Sequence, residues 1–249
     1  MKRFKTISIF LLLSFISIYS SFAEENSLSL NLTADVMNRY IFRGTDFGDS
    51  PSLQPCLSLK AGNFEIGYWG AISLTEFYQE TDLYLKYSIA GFSIYLTDYY
   101  IPYVVKDVPA SSDIRYFTFD NKKTAHTLEA ALEYQFPESF PLKLYGSVFF
   151  FGNDKRWGYD AEKDLKEDNY YSSYFEISYP FEISGNKLNV FLGLTPQSGA
   201  YGNDFGVVNL GFTGTKNIKI SNEFELPVKS SIIFNPQSSK VFFVFGITI

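Results

Sequence analysis

The chain has 249 residues, a formal net charge of −6, one histidine and one cysteine. The acidic balance excludes a nucleic-acid binder, which needs clustered positive charge; a lone Cys56 makes no internal disulfide, and a lone His126 makes no histidine-rich metal centre. Aromatic residues reach 19%, with 26 Phe and 19 Tyr, side chains that suit β-strands and membrane interfaces.

The first segment reads as a leader. Lys2, Arg3 and Lys5 precede an apolar run from Ile7 to Ile18, and Ser21-Phe22-Ala23 ends it at cleavage spacing. This pattern predicts a secretory signal peptide over 1–23 and one domain over 24–249. Without those three bases, 18 Lys+Arg face 27 Asp+Glu, a net charge of −9. Cys56 does not follow the cleavage site, so a lipid-anchored N-terminus is not expected. No later stretch stays apolar for 18 residues, so no transmembrane helix is predicted.

Period-2 alternation then runs to the end of the chain and predicts twelve strands. The first covers 28–43. Leu28, Leu30, Leu32, Ala34 and Val36 set its apolar face, and continuing that phase sends Tyr40 and Phe42 outward and Arg39 and Arg43 inward. Gly44 lets the chain turn away. Segments 53–61 and 63–74 place Lys60, Glu65 and Trp69 on the inner phase. Segment 80–90 sets Thr81, Leu83, Leu85, Tyr87 and Ile89 outward against Asp82, Tyr84, Lys86 and Ser88. Segment 91–99 follows. Segment 125–136 turns Glu129 and Glu133 inward, and 141–152 and 169–180 do the same with Lys143 and Glu176. Segments 187–196, 205–218, 225–235 and 239–249 complete the set. By this phasing no charge lies on the apolar face of any segment. The inner phase also carries aromatics, among them Tyr95, Tyr145, Phe149, Phe151 and Tyr174.

Two features separate a membrane barrel from a soluble sandwich. Connections after odd-numbered strands are mostly long, at 43–52, 100–124, 152–168 and 196–204, whereas those after even-numbered strands are mostly tight. Aromatics gather at both ends of the apolar face: Phe64, Tyr87, Phe92, Tyr134, Phe136 and Tyr179 at the turn end, and Tyr40, Phe42, Tyr171 and Phe234 at the loop end. Two girdles belong to a bilayer-spanning barrel. The predicted fold is therefore all-β, a transmembrane antiparallel up-and-down barrel of twelve strands, closed because an open edge in hydrocarbon leaves backbone groups unpaired. An even count puts both termini on the periplasmic side of a bacterial outer membrane.

Residues 38–70, with Asn38-Arg39-Tyr40, Phe42-Arg43-Gly44 and Gly67, Trp69 and Gly70, resemble the start of the TorF-type porins of bacteria, and 226–249 looks like that family's closing hairpin. The resemblance implies an outer-membrane barrel and a pore, with no established substrate.

The expected function is passive passage of small solutes, without cofactor or covalent chemistry. The alternative is a non-conducting structural or adhesive barrel that acts through its loops. Candidate pore-lining residues are Arg39, Arg43, Glu65, Trp69, Asp82, Lys86, Glu129, Glu133, Lys143 and Glu176. Arg39 and Arg43 could form an anion-selecting constriction or a structural network with neighbouring acids. His126 lies on the lipid-facing phase with Leu128 and reads as a rim residue. A His-x-Ser hydrolase would need serine where Leu128 stands. The acidic loop 159–168 lacks calcium-loop spacing. Expected partners are outer-membrane lipid and lipopolysaccharide, the outer-membrane assembly machinery and small solutes.

Overall fold

The computed structural model describes residues 28–76, 78–102, 115–120, 124–154 and 169–249. The leader at 1–23 and the acidic loop at 159–168 lie outside them. Alternating side chains build twelve wall strands, which form one closed antiparallel barrel: β1 (Ser29–Met37), β4 (Ser52–Ala61), β5 (Phe64–Ser73), β6 (Gln79–Ile89), β7 (Phe92–Tyr100), β8 (His126–Gln135), β9 (Lys143–Gly152), β10 (Ser173–Ile183), β11 (Asn186–Thr195), β12 (Gly206–Lys219), β13 (Glu225–Asn235) and β14 (Lys240–Thr248). Each pairs with its sequence neighbours, and β1 closes the ring on β14. Two further strands, β2 (Tyr40–Phe42) and β3 (Thr45–Phe47), form a separate small sheet.

The period of two puts one face of every strand outside. Leu30, Ile66, Ile94 and Phe243 are each more than half exposed, an apolar belt far beyond what a water-soluble surface carries. At the tight-turn end, Phe64 meets Tyr87 at 4.7 Å and Phe92 meets Tyr134 at 4.4 Å between ring centroids. At the loop end, Tyr171 and Phe234 are exposed.

Tyr40 and Phe42 are not in that outer girdle. The expected first strand, 28–43, ends at Met37, and Tyr40 is only 7% exposed, inside the barrel. Asn38 is the cause. Its backbone N–H donates to the Phe245 carbonyl at 2.9 Å, its side-chain Nδ2 donates to the Phe243 carbonyl at 2.9 Å, and its Oδ1 accepts from the Phe245 N–H at 2.7 Å. The side chain thus imitates one more residue of strand, and the main chain is free to turn inward at Arg39. Asn38→Ala removes the two side-chain bonds. It should lower barrel stability by about 1–2 kcal/mol, measured by urea unfolding in detergent micelles.

Two more departures come from the wall. Asp98 lies on the apolar phase, opposite Leu83 on one side and Leu128 on the other, so that face is not free of charge. Between β8 and β9 the register shifts, which sets Phe151 opposite Leu128 instead of on the inner phase. A bulge of this kind re-aims the side chains beyond it.

Candidate functional site

The interior is organised around the β2–β3 hairpin. Arg43 and Gly44 form its two-residue turn with φ of 49° and 78°. Positive φ at both positions is the turn type that matches strand twist in tight hairpins, and the wall hairpins at Ala90-Gly91 and Ser184-Gly185 share it. Glycine is required at 44 for a second reason. A Cβ there would collide with the Val208 carbonyl of β12. The turn is pinned from the other side by Asn235, whose Nδ2 donates to the Gly44 carbonyl at 3.1 Å.

The hairpin reaches three sectors of the wall. Tyr40 packs on Trp69 at 5.0 Å and on Tyr78 at 6.1 Å. Phe42 packs on Tyr99 at 5.8 Å. Ile41 joins the cluster of Met37, Ile233, Phe242 and Val244. Aromatic rings supply large buried area for few rotatable bonds, so this end of the interior is well packed.

Arg43 carries the only charge at the hairpin tip. Its guanidinium forks onto Glu129 of β8, Nη1 to Oε2 at 2.5 Å and Nη2 to Oε1 at 2.9 Å. Nη2 also donates to the Tyr145 hydroxyl at 2.7 Å, and Nη1 donates to the Tyr201 hydroxyl. Its carbon centre lies 4.6 Å from the Phe42 ring centroid and 4.8 Å from that of Tyr174. Glu129 accepts in addition from the Tyr99 and Tyr145 hydroxyls, both at 3.0 Å. The side chains of Arg43 and Glu129 are 8% and 2% exposed. Both charges are thus desolvated, and their attraction is correspondingly strong.

Arg39 does not join Arg43 in a basic ring. It pairs with Asp46 and Asp49 and is partly exposed. Of the two readings of these arginines, the structure places both in networks with acids. Trp69 is the wall against Tyr40. Asp82 is buried on β6, and its Oδ1 has no hydrogen-bond partner among the described residues. Glu65 accepts from Tyr84 at 2.7 Å, Lys86 lies over the Tyr95 ring at 5.0 Å, and Glu133 pairs with Lys143 at 3.3 Å. These last residues are half-buried or open and occupy the half nearer the tight turns. Glu176 accepts from Tyr174 and, at 3.2 Å, from Asn209. The ten candidates therefore fall into a sealed tier around the hairpin and a wetter tier below it.

Sequence reasoning missed Tyr201, which comes from the 196–205 connection, and Glu80, which accepts from Tyr78 at 2.6 Å beside Tyr40. Neither carries a local signal, because both acquire their role only when the hairpin enters. Above the hairpin, a cavity of about 210 Å³ opens at the loop end, lined by Asp46, Tyr201, Asn203, Asn235 and Gln237 among others.

No protein-family model matches the chain, and no curated protein does. Among solved structures, the chain is similar to an outer membrane channel from Pseudomonas putida F1, with 12% identity over 90% of this chain and 93% of that one and a TM-score of 0.39.

Proposed function

We propose that the chain is an outer-membrane channel for small solutes, closed in its extracellular half by the β2–β3 hairpin and opened when that hairpin withdraws. The observation that carries this reading is the buried Arg43–Glu129 pair. A desolvated ion pair is a poor source of stability beside apolar packing of equal volume, and its best-attested use is to specify one arrangement or to work as a switch. Here it ties a loop-borne element, and no wall strand, to the barrel interior. The apolar belt and paired aromatics support residence in a bilayer, and the likeness of residues 38–70 to TorF-type porins agrees with both. Lipid and lipopolysaccharide would contact the belt, the assembly machinery would insert the barrel, and both termini would face the periplasm.

Covalent chemistry is not part of the proposal. His126 Nε2, the nitrogen that would take a proton from a nucleophile, is bonded to the Tyr116 carbonyl at 2.6 Å. The dense packing of Tyr40, Phe42 and Phe47 favours a second reading, a barrel that never conducts and acts through its loops. Planar-bilayer recording separates the two. The intact chain should show rare openings, and a chain with 40–47 replaced by a short Gly-Ser linker should conduct steadily. A folded, linker-bearing barrel without current would reject the channel and leave the second reading.

A further inference from the structure

His126 is fully buried although its phase points out of the barrel. It pairs with Tyr100 across β7 and β8, and that face carries Ile94, Leu96 and Leu132, all exposed. Something must cover it from outside, and the cover is the 115–120 segment. Phe119 stacks on the imidazole at 4.4 Å and Tyr116 meets it edge-on at 5.0 Å. The segment therefore runs down the outer wall.

The imidazole holds it by hydrogen bonds. Nδ1 lies 2.8 and 2.9 Å from the two Asp98 oxygens, and Nε2 lies 2.6 Å from the Tyr116 carbonyl. A carbonyl only accepts, so Nε2 carries a hydrogen and donates it to Tyr116. The height of this pair matters. Asp98 is six residues along β7 from Phe92 of the turn-end girdle, which at ~3.3 Å per residue and a ~45° tilt is about 14 Å above it. An apolar band of about 25 Å would include that level. A bare carboxylate there would be costly, and the buried His126 imidazole pairs with it. The outer side of the cover is apolar in turn, with Phe117 86% and Phe119 51% exposed, continuous with the belt.

We propose that residues 115–119 form a strap whose Phe117 and Phe119 sit in the outer leaflet of the membrane, clipped to the barrel wall by His126 between Asp98 and the Tyr116 carbonyl. This rests on the reading of the barrel as a membrane barrel. The partner is lipid, because the surface is aromatic and continuous with the belt.

The test uses the full chain with Cys56→Ser, a bimane dye on Phe117→Cys, and liposomes containing lipids with a nitroxide on the acyl chain. A second dye site, Phe245→Cys in the middle of the belt, reports the barrel. Quenching is expected at both sites. His126→Ala should at least halve quenching at 117 and leave 245 unchanged. Phe119→Ser, which removes the ring stacked on the imidazole, should do the same, which covers the case in which the alanine variant does not fold. A dye at 117 that is bright while 245 is quenched overturns the strap. So does quenching at 117 that is indifferent to both His126→Ala and Phe119→Ser. Bright dyes at both sites overturn the membrane reading, and the strap with it.

Discussion

Arg43→Ala should turn a closed barrel into a conducting one. The substitution leaves Glu129 buried, 2% exposed, with no cation among its described partners. Breaking a buried pair in this way costs about 3–5 kcal/mol. The cost falls on the seated hairpin alone, because a withdrawn hairpin lets water reach Glu129. At about 1.4 kcal/mol per tenfold change, even the lower figure raises the withdrawn population about a hundredfold. Single-channel recording should show that rise in open probability. Glu129→Gln, which strands Arg43 instead, should act in the same direction. Arg43→Met with Glu129→Leu should restore closure, since apolar packing of similar volume replaces the pair. If Arg43→Ala stays as silent as the parent while the linker-bearing chain conducts, the ion pair is not what holds the hairpin.

The second large effect concerns the wall. Leu85 is 44% exposed on the outer face of β6, paired with Ile66 and Leu96. Leu85→Arg should destabilise the barrel in lipid by about 2–4 kcal/mol, the cost of a guanidinium near the midplane. Lys86, the next residue, points inward over the Tyr95 ring at 5.0 Å. Lys86→Ala should cost no more than about 0.5–1 kcal/mol, the worth of an exposed cation–π contact. Unfolding titrations in lipid vesicles measure both. Equal, small effects at the two positions would mean that the outer face of β6 meets no hydrocarbon.

Those adjacent positions also show what a sequence can disclose. Leu85 and Lys86 are assigned to opposite faces by alternation alone, and all twelve wall strands follow from the same rule because each has one apolar and one polar environment. The hairpin was hidden by that rule. From Leu28 to Phe42 only Asn38 interrupts the apolar phase, so Tyr40 and Phe42 read as a continuation of β1. The available signal was "YIF-RG-TDF", two short aromatic-bearing runs around an X-Gly pair like Ala90-Gly91, but Gly44 also fits a simple strand exit. The pairing of Asp98 with His126 escaped for a different reason. They are 28 residues apart, and a charge on a lipid-facing phase is acceptable only because a third segment covers it. Partnerships made by loops, such as Tyr201 with Arg43, leave no periodic trace at all.

Asn38 has a consequence for assembly. One carboxamide both ends the first strand and grips the last, with bonds to Phe243 and Phe245 of β14. The inward hairpin begins at the very next residues. On the proposed reading, the pivot from which it swings does not exist until the final strand has arrived, so ring closure and stoppering would be a single event. A nascent, unsealed sheet would carry its stopper loose, and only the finished cylinder would be corked.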